Sequence, residues 1–293
     1  MLISEVIQKC KDYSRGLDPF NSMRPVDAVR TRDQVLYGNV TQECTGIVTC
    51  IWATSDIIRK AQRLGYNLII SHEALFWNHG DRQGFLAFNK TFQAKKALLD
   101  EWDGAVWRNH DYIHSQVPID NGKMADGIFY GLASKLGWLD YRVEDTSMPL
   151  DYQIPPMRAM DLAVYIVRRL GLNGTRIIGN TEAMVSRIHF PMHLIGGPDD
   201  DELMYAETHD IDCLVTMELT DFTVQEYIRD SAMFGREKCI IALGHFNTEE
   251  PGMEYMVNWL PEALGTNDVP ATFVPMKDPF NYVLNDIYKG KTQ

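Results

Sequence analysis

Gly46-Ile-Val-Thr-Cys-Ile-Trp-Ala53 is a β-branched, apolar run that ends on Thr54 and Ser55, two residues suited to capping a helix. Ile57, Ile58, Ala61 and Leu64 then recur at helical spacing, and Gly65 stops the pattern. A second apolar run, Asn67 to Ser71, follows directly. Strand, amphipathic helix and strand in this order read as a β–α–β unit, which makes the chain an α/β protein.

The same alternation extends outward. A helical segment is predicted from about Phe85 to Glu101, a short strand at Gly104–Trp107, and a helix from Ala125 to Leu136 that stops at Gly137. A second block begins near Tyr152. It carries a helix from Met160 to Leu170 with Leu162, Ile166, Val167 and Leu170 on its buried side, and strands at Thr175–Gly179 and Val185–Ile195. After Pro198 a helix is expected, then a strand at Asp212–Thr216, a helix at Thr223–Ala232 and the strand Cys239–Leu243. The pattern ends with a helix from Glu250 to Leu260 and a strand near Ala271–Pro275. The expectation is two related α/β sheet blocks, residues 1–140 and 141–293.

Composition narrows the class. Of 293 residues, 45% are hydrophobic and 23% charged, the balance of a folded globular chain. Runs such as Cys239–Leu243 fall far short of the ~20 residues of a membrane helix, and Glu5 and Lys9 interrupt the first apolar stretch, so neither a span nor a signal peptide is expected. Five cysteines without a C-x-x-C pair give neither a disulfide framework nor a thiolate zinc site, and suggest a reducing, cytoplasmic address. The net charge of −12 repels nucleic acid and anionic membranes at a distance.

Three of the eight histidines' settings are alike: an apolar strand runs out and a His with a carboxylate or second His follows. They are Leu68-Ile-Ile-Ser-His72-Glu73, Val106-Trp-Arg-Asn-His110-Asp111-Tyr-Ile-His114, and Ile240-Ile-Ala-Leu-Gly244-His245-Phe-Asn-Thr248-Glu249-Glu250. Open α/β sheets place ligands at the carboxyl ends of their strands. Imidazole with carboxylate is what a chain without thiolate pairs offers a divalent transition metal. Each setting alone reads more readily as a hydrogen-bonded structural histidine than as a ligand; three in one chain shift the reading toward a metal.

Other residues lean toward plainer roles. His189 and His193 flank Pro191 as core or edge histidines, His209 sits late in a polar helix, and His79 is a loop residue or lines the pocket. Asp199-Asp-Asp-Glu202 after Gly196-Gly197 repels phosphate, so that loop is read as a helix start. Phe85, Phe88 and Phe92 are read as a packing face.

Ile70-Ser-His-Glu-Ala-Leu-Phe76 resembles the Thr-His-His-Pro-Leu-Ile-Phe motif of the NIF-three-like dinuclear-metal-centre proteins, also labelled GTP cyclohydrolase I type 2 homologues. Gly244 to Glu249 matches the family's Gly-His-x-x-Ser/Thr-Glu in full. Ile195-Gly-Gly and Asp212-Cys-Leu-Val-Thr216 resemble its Gly-Gly loop and its strand ending in Thr-Gly-Asp, departing at Met217-Glu218. The resemblance spans about Val40 to Leu264. It implies two divalent ions per chain (zinc, manganese, iron or nickel), a crevice between the blocks, and a hexameric ring.

Two departures fall on ligand positions. Glu73 stands where the family has a second His, and His110-Asp-Tyr-Ile-His114 where it has His-Thr-Asn-Leu-Asp, which puts His114 on the ligand Asp. The implied ligands His72, Glu73, His114, His245 and Glu249 keep three imidazoles and two carboxylates, so total ligand charge is unchanged. Asp111 is the rival carboxylate from the second motif, and Asp120 a weaker one.

The reaction implied is metal-dependent hydrolysis of a nucleotide or cyclic amide. Two ions ~3.5–4 Å apart activate a water and clamp the reacting oxygens. Glu249 or Glu73 would bridge or cap the ions, and Asp111 or Glu250 would serve as general base. A triphosphate needs several cationic contacts, for which only Arg108 and Arg82 lie near the motifs. The other reading is a non-catalytic metal-binding regulator or scaffold; a nucleic-acid-binding factor is disfavoured by the charge.

Overall fold

The computed structural model describes residues 1–119, 122–143, 148–196 and 200–284. The chain divides into two compact units: residues 1–134, 145–149 and 249–276, and residues 135–144, 150–248 and 277–293.

In the first unit the opening β–α–β pattern becomes the centre of a five-stranded sheet. Its order is Ala271–Phe273, Ile47–Cys50, Leu68–Ser71, Ala105–Arg108, Val35–Tyr37. The first four strands run parallel and Val35–Tyr37 is antiparallel at the edge. Alternate residues feed two cores, as strand geometry requires. Ile47, Leu68, Ile70, Ala105 and Trp107 pack with the helix Ile3–Tyr13 and with Met253, Met256, Trp259 and Leu260 of the helix His245–Leu264. Val48, Cys50, Ile69 and Val106 pack with the helices Ser55–Leu64 and Lys90–Trp102. The sheet is thus covered on both faces, which is why its central strands are mainly apolar and fully buried.

The second unit repeats the plan: Arg176–Gly179, Cys239–Ala242, Cys213–Thr216, Met184–His189, Asp151–Arg158. The three inner strands are parallel and both edges antiparallel. Two sheet blocks of one α/β architecture are therefore present, as the alternation predicts. Among the described residues no helix is long and apolar enough to cross a membrane.

Several expected elements shift. The strand at Ala271–Phe273 pairs with Ile47–Cys50, so the sheet it completes is the first and not the second. The last long helix begins at His245 and not at Glu250, because Thr248 and Asn247 already close its first turn on Gly244 and Leu243. Pro251 lies inside this helix, where it removes one amide donor. That helix crosses the division of the chain, with residues up to Thr248 in the second unit and those from Glu249 in the first. Asn89 caps the helix Lys90–Trp102 by accepting from Phe92 N at 3.0 Å, which leaves Phe85 and Phe88 outside it and exposed; only Phe92 packs inward, against Phe76. Val185–Ile195 divides into the strand Met184–His189 and a separate pair, His193–Leu194.

One close approach in the first unit makes a stability test. A Cβ on Gly252 would lie 2.4 Å from Ile128 Cα, and one on Gly131 2.6 Å from Gly252 Cα, both backbone atoms. Helix propensity alone predicts that Gly252→Ala stabilises by up to ~1 kcal/mol. The packing predicts the opposite sign, a loss of roughly 1–3 kcal/mol from forcing two helices apart. A melting temperature at or above wild type would remove that argument.

Candidate metal centre

His72 follows directly on the strand Leu68–Ser71, its amide and that of Glu73 tied to Ile51 O in the neighbouring strand's exit at 3.1 and 2.8 Å. His110 and His114 bracket the short helix Asp111–His114 after the strand Ala105–Arg108. That helix is capped from a distance: Asp33 accepts the amides of His110, Asp111 and Tyr112 at 2.7, 2.8 and 2.8 Å. Burial pushes the Asp33 carboxyl up to about 6, against the pull of these three donors.

The three imidazoles come together in the first unit. The rings of His72 and His110 stack with centroids 4.6 Å apart, and His114 stands edge-on to both at 5.1 and 5.0 Å. One nitrogen from each ring lies within 4.8 Å of the others, and His72, Glu73 and Glu249 form a second triad on the same criterion. His72, Glu73, His114 and Glu249 are all buried.

Each ring has its Nδ1 committed. His72 Nδ1 donates to Asn109 O at 3.1 Å, His110 Nδ1 to Asp111 Oδ1 at 2.9 Å, and His114 Nδ1 to Asp126 Oδ2 at 2.7 Å. Since carbonyls and carboxylates only accept, Nδ1 carries the hydrogen and, in the neutral ring, Nε2 keeps the lone pair, the arrangement found behind metal-ligating histidines. His72 Nε2 is buried without a hydrogen bond and lies 3.5 Å from Glu249 Oε2. Electrostatics separate the rings. Burial, with His72 alongside, lowers His110 to about 3. Burial also opposes charge on His114, but the Asp126 carboxylate outweighs it and raises that ring to about 8.

Glu73 and His114 each face a counter-group. Glu73 Oε2 receives Arg108 Nη2 at 2.7 Å, while Arg108 also donates to His72 O and His79 O, each at 3.0 Å. Asp126 holds His114 with one oxygen and caps the following helix with the other, accepting from Ile128 N and Phe129 N at 2.9 and 3.0 Å. Glu73→His with His114→Asp would place imidazole against guanidinium and carboxylate against carboxylate.

Asp111 accepts from Arg32 Nη1 and His110 on Oδ1, and from Thr31 Oγ1 and Arg32 N on Oδ2. Burial alone would raise its pKa, but the His110, Arg32 and Thr31 donors hold it well below the usual carboxylate range. It orients His110; a base so engaged has little tendency to take a proton. Glu250 Oε1 accepts Met276 N at 2.6 Å and anchors backbone. Arg108, at 1% exposure, is paired with Glu73 and two main-chain carbonyls. His79 accepts from Arg32 Nε at 3.0 Å, its ring 6.4 Å from that of His110. Asp120 and Gly197 lie outside the described residues.

His245 lies in the second unit, where its Nδ1 donates to Glu218 Oε1 at 2.8 Å. His209 stacks on Tyr205 at the end of a helix, as expected. His189 is a structural histidine: Nδ1 donates to Asp151 Oδ1 at 2.9 Å and Nε2 sits 3.5 Å from Glu202. Burial disfavours its charge, yet Asp151 and Glu202 prevail and lift it to about 9. A raised pKa stabilises the fold fully below the unfolded value near ~6.5, and that contribution fades as pH rises through about 9. His189→Gln is therefore expected to melt lower than wild type at pH 6, by an amount equivalent to roughly 2 kcal/mol, and the gap should close by pH 10. A gap independent of pH would contradict the ion-pair account.

Sequence reasoning missed His110 as a potential ligand, though it stands in the quoted motif, and missed Asp33, Thr31, Arg32 and Asp126, which precede or follow the motifs in stretches with no strand-end signature.

The Duf34/NIF3 (NGG1p interacting factor 3) family matches this sequence over residues 16–101 and 107–279. Solved structures share its fold. A Staphylococcus aureus protein is 18% identical with a TM-score of 0.65, covering 97% of this chain and 99% of its own. A Bacillus cereus protein related to NIF3 is 13% identical at 0.66, again covering 97% and 99%. HcgD from Methanocaldococcus jannaschii, in its reduced form, is 13% identical at 0.55, covering 93% and 97%. No curated protein sequence matches significantly.

Proposed function

This chain belongs to the Duf34/NIF3 family, and from that premise we propose that it binds a divalent transition metal in its first unit and uses it in hydrolysis. The observation that carries the reading is the gathering of His72, His110 and His114: three Nδ1 atoms are held by acceptors, one nitrogen of each ring comes within 4.8 Å of the others, and His72 forms a second such group with Glu73 and Glu249. Imidazole and carboxylate suit zinc, iron, nickel or manganese, and the buried His72 Nε2 lacks the hydrogen bond that a purely structural histidine would make.

His72, His114 and Glu249 would hold the ion, with Glu73 and His110 completing the set. Bound there, the ion would supply Lewis-acid activation of a hydrolysable bond. The protein's own groups set the stage: Asp126, Asp111 and Asn109 fix the rings, Asp33 fixes the loop, and Arg108 holds Glu73 in place. Burial of Arg108 and its pairing with Glu73 speak against it as the grip for a triphosphate.

One observation favours the non-catalytic alternative, namely that His72, His114 and Glu249 are each under 5% exposed. Elemental analysis of purified and chelator-treated protein, followed by a hydrolysis screen over phosphoesters, nucleotides and cyclic amides, separates the two. Metal with chelator-sensitive turnover supports the hydrolase. Metal whose removal lowers the melting temperature without any rate to lose supports the scaffold, and absence of metal removes both.

A further inference from the structure

Two arginines of the first unit are tied to the histidine cluster, and they differ in how many donors remain open. Arg108 is buried and paired with Glu73. The side chain of Arg32 is 42% exposed, yet its guanidinium is fixed from two directions: Nη1 donates to Asp111 Oδ1 at 2.9 Å and Nε to His79 Nε2 at 3.0 Å. Its own amide is held by the other oxygen of the same carboxylate, Asp111 Oδ2, at 2.9 Å, with Thr31 Oγ1 on that oxygen at 2.8 Å. Nη2 makes no hydrogen bond among the described residues and keeps both of its N–H donors.

The carboxylate that holds Arg32 also holds a ring of the cluster. Asp111 Oδ1 accepts from Arg32 Nη1 and from His110 Nδ1, so guanidinium and imidazole meet on one oxygen. Along this line the side chains open progressively to solvent, from His72 at 0% through His110 at 12% to Arg32 at 42%. The exposed flank of the cluster is the one that carries Arg32. Four donors occupy the two oxygens of Asp111, which disperses its charge among them and leaves the Nη2 donors for an incoming acceptor.

We propose, resting on the hydrolytic reading of this centre, that Arg32 recognises an anionic oxygen group, phosphate or carboxylate, carried by the substrate away from the bond that is hydrolysed. Guanidinium matches such groups in charge and in the spacing of its donors. Here it is fixed before anything binds, which lowers the ordering cost that an exposed arginine usually incurs. Arg32 joins His110 on the Nδ1 side of the ring, away from the Nε2 lone pair, so the anion it holds is distinct from the group activated at a metal. The substrate class is therefore bifunctional: a hydrolysable bond and a separate phosphate or carboxylate. Neutral esters and neutral cyclic amides lack the second group.

Chelator-treated full-length protein separates this claim from the metal, since no ion is then present to take the anion itself. Inorganic phosphate and, in a second arm, acetate would be titrated at low ionic strength into wild type, Arg32→Gln, Arg32→Lys and Asp111→Asn, with circular dichroism as the check on folding and zinc uptake counted separately. Wild type should bind one anion saturably, and the arm that saturates at lower concentration identifies the group. Arg32→Gln should bind it at least ~10-fold more weakly, with Arg32→Lys between the two. Asp111→Asn removes a neighbouring negative charge and should bind at least as tightly as wild type. No saturable binding of either anion, or equal affinity in wild type and Arg32→Gln, overturns the proposal. Equal losses in Asp111→Asn and Arg32→Gln also overturn it, because Arg32 would then act only by placing Asp111. Anion binding that depends on Arg32 in a wild type that takes up no zinc supports the anion site and sinks the metal reading instead.

Discussion

Replacing His72 by Ala should weaken metal binding in the first unit by more than ~100-fold, since displacing even a group behind a ligand costs ~10–100-fold. His72 belongs to both triads of ligating atoms, and its ring sits between His110, His114 and Glu249. No other residue in the cluster touches as many candidates. The fold should survive the change, because His72 lies past the end of its strand and its backbone contacts to Cys50 and Ile51 do not depend on the side chain. Glu249→Ala should show a comparable loss. Wild-type metal content in both variants would remove the centre from the first unit.

The largest expected effect on stability is at Arg108. Its guanidinium is buried, faces Glu73 at 2.7 Å, and donates to two main-chain carbonyls. Arg108→Met keeps much of the volume but removes all three interactions, and breaking a buried pair from one side costs about 3–5 kcal/mol. Glu73→Leu in the same background should recover most of that loss, because the cost arises chiefly from a carboxylate deprived of its counter-charge. Denaturation of the chelated protein reads this without interference from metal. If the double variant is as unstable as Arg108→Met alone, the carboxylate is not the source, and the two carbonyls are.

How far the sequence could be read is best seen at particular residues. The run from Gly46 to Ser71 specifies its elements correctly because every level agrees: β-branched strand residues, a Thr54 cap accepting from Ile57 N, helical spacing, and a Gly65 stop at φ +71°. The edge strands Val35–Tyr37 and Asp151–Arg158 were not predicted as strands, since a half-exposed antiparallel edge has neither the continuous apolar run nor the clean alternation that marks a strand. The helix Ile3–Tyr13 begins at Leu2, a residue with no capping side chain, so its start is marked only by Glu5, which accepts from Leu2 N at 2.7 Å.

The site divides in the same way. His72 and His114 announce themselves because strand ends with histidines are few, whereas His110, in the same motif, does not stand out from its neighbour His114. Which nitrogen faces the cluster depends on Asn109, Asp111 and Asp126, and only tertiary structure brings Asp126 to His114 or Asp33 to the His110 amide. Asp111 looked like a base from sequence because it adjoins a histidine. It becomes a holder of that histidine only once Thr31 and Arg32 arrive from nearly 80 residues away to occupy its other lone pairs. His193 illustrates the converse: paired with His189 in sequence by spacing, it belongs in space with Glu218, because the chain breaks strand at Phe190 and starts another at His193.

The central claim, that His72 presents Nε2 to a metal, is tested most directly by ¹⁵N nuclear magnetic resonance of histidine-labelled protein during Zn²⁺ titration. In the chelated state His72 should show hydrogen on Nδ1, bonded to Asn109 O. At saturating zinc the Nε2 resonance should move to the range of a coordinated nitrogen while the Nδ1 hydrogen stays in place. A His72 ring that carries its hydrogen on Nε2, or whose nitrogens do not move when zinc is in excess, would contradict the account.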